Sequence, residues 1–133
     1  MEITGGCYCG EIRFSAKGDP KMFQCHCREC QYITGGHPNA ITVWPSENVT
    51  FTKGSPKEFC RTDIEKPVTR IFCGKCGTGI GTWKHPLRPE STLLKVGTFD
   101  DPSFFKPSAV IFTIDKQDFH SLPDNVPTFE RRP

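Results

Sequence analysis

The spacing of the cysteines constrains this chain more than any other feature. Seven of the eight fall into three short groups: Cys7 and Cys9 as C-x-C, Cys25, Cys27 and Cys30 as C-x-C-x-x-C, and Cys73 and Cys76 as C-x-x-C. Zinc takes thiolate or imidazole ligands in a tetrahedron, with Zn–S near 2.3 Å. In "CGKCG", Gly74 and Gly77 supply the tight conformations a metal knuckle needs. Two pairs make one closed four-sulfur site. Pairing Cys7 and Cys9 with Cys73 and Cys76 satisfies one ion and ties the N-terminus to mid-chain. Cys25, Cys27 and Cys30 are then left with one coordination position open, which is what a catalytic or ligand-exchanging zinc requires.

Other readings of these cysteines are weighed against that one. "MEITGGCYCG" has neither a basic start nor an apolar run, so the expected location is cytoplasmic. A reducing compartment favours metal ligation over a disulfide scaffold. No βαβ pattern surrounds Cys73 and Cys76, which argues against a thioredoxin-type redox pair. The open position could be closed from within the chain. His37, seven positions after Cys30, is the first candidate. His26 alternates between two ligands and is expected to point away, and Cys60, in "EFCRT", reads as a buried small hydrophobe.

The formal charge of +2 counts every thiol as neutral. Seven thiolates and two Zn²⁺ would turn it into −1, so the charge gives no support for nucleic-acid binding. The basic residues are scattered, with one dense group in the terminal "ERRP". No stretch approaches the roughly 20 apolar residues that span a bilayer.

At 133 residues, the chain fits one domain over 1–133. Twelve glycines and twelve prolines point to many turns and few long helices. Short extended stretches recur about every ten residues: 11–17, 21–27, 40–44, 48–54, 57–62, 68–73, 78–84, 92–99 and 109–115. "AITVW" and "NVTFTKG" flank "PSE" as a hairpin would. The one helical segment expected is "RECQYITG", ending near Gly35 and Gly36. The fold class is all-β with small α content, as a sandwich or open barrel. His85 and His120 read as surface or packing residues. Trp44 and Trp83 read as core or rim, and Asp100 and Asp101 as turn formers beside Pro102.

"GGCYCGEIRF", "CHCRECQYITG", "RIFCGKCGTGI", "LKVGTFDDP" and "DNVPTFERRP", in that order, resemble the glutathione-dependent formaldehyde-activating enzyme family, which includes centromere protein V-like domains. The resemblance runs from Gly6 to Phe129. It implies a zinc-braced β-tent fold. It also implies a structural zinc on Cys7, Cys9, Cys73 and Cys76, and a catalytic zinc on Cys25, Cys27 and Cys30. The implied activity is that of a carbon–sulfur lyase acting on thiol adducts, with glutathione and formaldehyde giving S-hydroxymethylglutathione. Phe119 stands where a tryptophan is expected, "SAVIFT" lacks a histidine that many members carry, and His37-Pro38 occupies a loop of usually small residues. These departures bear on the substrate, which pocket loops select, and leave the ligands untouched.

The expected chemistry is attack by a bound substrate thiolate on formaldehyde or another small electrophile. His37 is the candidate proton donor. Arg28 and Glu29, between ligand cysteines, are candidate anchors for a peptide-like substrate, although exposure on a helical turn is the favoured reading for both. Three thiolates already give the ion a net negative charge, which disfavours water activation. A zinc-stabilised protein- or nucleic-acid-binding module is the alternative, and a thiol-stress sensor a third.

Overall fold

The structure is a computed structural model of residues 1–133. It is mostly β, with a single α-helix. β1 (Glu2–Gly6), β2 (Arg13–Lys17) and β5 (Val49–Lys53) form a three-stranded antiparallel sheet in the order β1-β2-β5. A second sheet contains β3 (Lys21–Cys25), β4 (Asn39–Pro45), β6 (Lys57–Cys60), β7 (Thr69–Phe72), β8 (Gly79–Trp83), β9 (Ser91–Lys95) and β10 (Ala109–Ile111). Their order is β10-β3-β4-β9-β8-β7-β6. Every neighbouring pair there is antiparallel except β10 and β3, which run parallel. No helix is long and apolar enough to cross a membrane.

Side-chain alternation explains how the larger sheet serves two purposes. Trp44 of β4, Ile71 of β7, Ile80 of β8 and Leu94 of β9 point into the main core. There they meet Phe14 and Ala16 of β2 from the small sheet, together with Phe99. Phe14 and Phe99 contact edge to face at 5.3 Å, the arrangement aromatic quadrupoles favour. The residues between, Ile41 on β4 and Leu93 on β9, face the other way and pack around Cys25 and Cys30. One face of the sheet therefore builds the interior, and the other carries the second cysteine group.

The helix α1 (Arg28–Thr34) starts at Cys27 as its cap and ends at Gly35, whose left-handed φ of 82° closes it where the sequence predicts. The last residues lie along β10: Val110 N–H donates to Pro127 O at 2.9 Å, and Phe129 N–H returns to Val110 O at 2.8 Å. This brings Arg132 over the ring of Phe112.

Four expectations are corrected. The stretches 40–44 and 48–54 do not pair as a hairpin. A 3-10 turn, Ser46–Asn48, carries the chain from the large sheet to the small one, where β5 pairs with β2. The segment 109–115 is a strand only to Ile111, after which Phe112 takes a left-handed φ of 57°. His85 and His120 are buried rather than at the surface, which leaves packing as their role. Cys60 is exposed, because β6 is the outermost strand and all four of its residues face solvent.

Candidate metal centres

The first centre joins two tight turns. β1 runs into Cys7, and Cys7 N–H donates to Ile12 O at 3.1 Å to fold the chain back before β2. Ile12 N–H reaches Cys7 Sγ at 3.2 Å. The second turn follows β7: Lys75 and Cys76 N–H groups point at Cys73 Sγ at 3.3 and 3.4 Å. Gly77, at φ 79°, takes a conformation that a Cβ would strain. Tyr8 N–H donates to Thr78 Oγ1 at 3.1 Å and stitches the two turns together. All four sulfurs lie within 4.8 Å of one another. Cys7–Cys9 and Cys9–Cys73 are 3.6 and 3.8 Å apart. A tetrahedron with Zn–S near 2.3 Å has S···S edges of about 3.8 Å. The donor set and its dimensions fit such an ion.

The second centre lies on the other face of the large sheet. Cys25 closes β3. Cys27 caps α1, its Sγ accepting from Cys30 N–H at 3.3 Å. Asn39 Nδ2 donates to Cys30 Sγ at 3.8 Å. The three sulfurs lie within 4.8 Å of one another, and no fourth histidine, cysteine or carboxylate joins them. Cys25 and Cys30 are buried and Cys27 half-buried. Without a cation these thiols cannot ionise together. The Cys25 and Cys30 thiols beside it pull Cys27 down to about 3. Cys25 is pushed up, chiefly by Cys27. In the first centre, the Thr78 hydroxyl and backbone pull Cys76 down to about 5. Like charges at such distances must be neutralised by a metal or by protons.

Two buried histidines brace the second centre. Gln117 N–H donates to His120 Nδ1 at 3.2 Å, so that nitrogen is an acceptor. His26 Nδ1–H must then donate to it across 2.9 Å. His120 Nε2–H donates to Gly36 O at 2.7 Å, and Gln24 Nε2 donates to His26 Nε2 at 3.0 Å. Both rings are thus neutral, and the chain of bonds links β3, the end of α1 and the C-terminal segment. His26 points away from the sulfurs, as expected. Gln31, also buried, spans from His26 O at 2.9 Å to Asp115 O at 2.8 Å.

A cleft of about 850 Å³ opens over the three sulfurs. Arg28, Arg61, Arg70, Arg88, Lys95 and Arg132 line it, against two acids, Glu29 and Asp115. Arg70 pairs with Glu29 at 3.0 Å, and Arg61 with Asp63 at 2.7 Å. Lys95 Nζ donates to Asn39 Oδ1 at 2.8 Å. Burial pulls its pKa down to about 8, against an opposing pull from Cys30.

Arg28 and Glu29 are exposed but line the cleft. His37 does not line it. Its ring sits 5.9 Å from Phe119 and 6.4 Å from His120. Cys60 joins neither sulfur group. Asp100 accepts from Arg13 at 2.9 Å and from Thr4 at 2.6 Å, and Asp101 caps a 3-10 turn. Sequence reasoning missed Asn39 and Lys95. A lone lysine inside the apolar run "TLLKVGTF" was the available signal.

A family profile described as glutathione-dependent formaldehyde-activating enzyme matches residues 2–115. Among solved structures, a crystal structure of a Rhodobacter sphaeroides protein is similar in fold. It has 15% identity and a TM-score of 0.58, with 74% of this chain and 88% of that one covered.

Proposed function

Because the chain belongs to the glutathione-dependent formaldehyde-activating enzyme family, we propose that it is a zinc-dependent carbon–sulfur lyase-like enzyme acting on thiol adducts. Its substrates in this reading are glutathione and formaldehyde, joined as S-hydroxymethylglutathione and released in reverse. The observation that carries this is the three-sulfur group at the base of a cationic cleft, with no fourth protein ligand beside it.

Cys7, Cys9, Cys73 and Cys76 would hold one ion for structure, and Cys25, Cys27 and Cys30 would hold another for catalysis. When bound, zinc supplies a positive centre that keeps a substrate thiol ionised at neutral pH. The residues of the chain do the rest. Arg61 and Arg70, although partly paired, set a positive potential that attracts the carboxylates of glutathione. The thiolate adds to the carbonyl carbon, and the electron pair of the C=O bond moves to oxygen, which needs a proton. In this reading the donor is Lys95, which lines the cleft where His37, the candidate from the sequence, does not. The apolar side chains around the sulfurs lower the local dielectric and strengthen these charge interactions.

The test measures zinc content, then glutathione binding by calorimetry, with Cys30→Ser as control. Two ions per chain and saturable thiol binding that the variant loses support the reading. Two ions with no thiol binding point to the metal-braced binding module.

A further inference from the structure

Resting on the thiol-adduct reading above, we infer that the carbon partner of the thiol carries an apolar group, and that formaldehyde is the smallest rather than the best-fitting electrophile. One side of the surface next to the sulfurs is hydrocarbon, opposite the side that carries Arg70. Leu93, Ile111 and Phe112 pack directly against Cys25, Cys30 and Ile41. Phe23 lies on the strand beside Ile41, opposite it in register, and lines the same cleft. Phe23, Leu93, Ile111 and Phe112 are each only half-buried; Arg132 lies over the ring of Phe112, and the exposed parts of the other three meet solvent unless a ligand covers them.

Formaldehyde cannot cover that surface. It is a single carbon and an oxygen, and in water it is largely a polar diol. Nor does the carrier account for the surface. Glutathione presents two carboxylates, an ammonium and amides, which suit the cations on the β7 side, Arg61 and Arg70. A cleft of about 850 Å³ holds more than a tripeptide and one added carbon. The division of chemistry therefore places the carrier toward Arg61 and Arg70, and a chain or ring toward Phe23, Ile41, Leu93 and Ile111 on β3, β4, β9 and β10.

Room for this arrangement comes from β8. Gly79 faces the cleft, and the stem of Lys95 lies across it. A Cβ at that position would stand 3.2 Å from Lys95 Cε. The lysine, cross-strand partner of Ile41, is held there by its Nζ donating to Asn39 Oδ1 at 2.8 Å.

The reaction balances without a further reagent. The thiol sulfur bonds to the carbonyl carbon of an aldehyde R–CHO, and the C=O π pair moves to oxygen. That oxygen takes up the proton which the thiol released. The product is the hemithioacetal, and the reverse step returns thiol and aldehyde.

S-substituted glutathiones test the inference, because they lack a free thiol and read the cleft alone. Binding of S-methyl-, S-hexyl- and S-benzylglutathione to the metal-loaded protein is compared by calorimetry, with glutathione beside them. Each buried methylene strengthens binding by about 4-fold. Partial cover of a hexyl chain therefore predicts at least about a 10-fold gain over S-methyl. Leu93→Ser and, separately, Phe112→Ala shrink that ratio. Equal affinities for the methyl and hexyl compounds, with glutathione still binding, overturn this inference and leave the proposed function standing. Failure of glutathione and all conjugates to bind overturns both.

Discussion

The Nδ1 atoms of His26 and His120 stand 2.9 Å apart in the interior, and one hydrogen serves both. The Gln117 N–H already points at His120, so the hydrogen belongs to His26. His26 sits between Cys25 and Cys27, so this bond sets the orientation of the turn that carries them. Replacing His120 by leucine leaves His26 Nδ1–H, the Gln117 N–H and Gly36 O without these partners. Each orphaned group costs about 1–3 kcal/mol. A summed loss of at least about 2 kcal/mol should lower the melting temperature of a 133-residue domain by about 7 °C or more. Zinc affinity at the second centre should fall by about 10-fold or more. His120→Asn, which can still accept at one atom, should recover part of both.

The two centres differ in what their loss does to the fold. Cys9 and Cys73 Sγ meet across 64 positions of chain. Structural zinc contributes about 10–16 kcal/mol of apparent binding energy, comparable to the whole stability of about 5–15 kcal/mol of a domain. Cys73→Ser should therefore give a chain without native circular dichroism. Cys30→Ser should remain folded with one ion fewer, as read by metal analysis on the same sample.

Thiol labelling separates exposure from metal protection. Cys9, Cys60 and Cys76 are all exposed. If exposure alone decided, a maleimide would label three cysteines quickly. A metal-loaded protein should instead show one fast thiol, Cys60, and Cys60→Ser should remove it. After chelation, all eight should react.

Lys95→Met tests the proton donor. General acids contribute roughly 10²–10⁴-fold to rate, so a loss of about 100-fold in kcat is expected. An acid must be protonated to act, so the wild-type rate should fall as pH rises through about 8. The variant should lack that limb. Exchange NMR of adduct formation reads both above the spontaneous reaction.

His85 gives a pH signature of stability. Its burial, with Arg132 and Arg88 nearby, lowers its pKa below 6.5. Its Nδ1 accepts from Leu87 N–H at 3.0 Å, which requires the neutral ring. A lowered folded pKa means the unfolded chain binds the proton first. Stability is therefore fully present above about 6.5 and declines as pH falls toward the folded value. His85→Gln should flatten that part of the melting curve between pH 8 and pH 5.

The cysteine groups were legible because the turn that gathers their sulfurs is local: spacing within four or six residues decides it. The strands were legible from alternation, as at Arg13–Lys17, where Phe14 and Ala16 turn inward. Alternation says which face is buried, not which strand lies alongside. Hence 40–44 and 48–54 looked like a hairpin although a three-residue turn sends them to different sheets. "EFC" looked like core because nothing local shows that its strand is the last in its sheet. His120 lies among polar and proline residues, and only the return of the tail along β10 brings it to His26. Lys95 was hidden for the same reason, since its partner Asn39 is 56 positions away.

The unequal reach of the two sulfur groups sets an order of assembly. During synthesis, residues 25 to 30 leave the ribosome together while residue 73 is not yet made. The short group can therefore capture an ion from a chain with no tertiary structure. The long-range group becomes a trap only once folding has closed a loop of 64 residues. If both groups hold metal, the short one can be filled before the fold that the long one depends on exists.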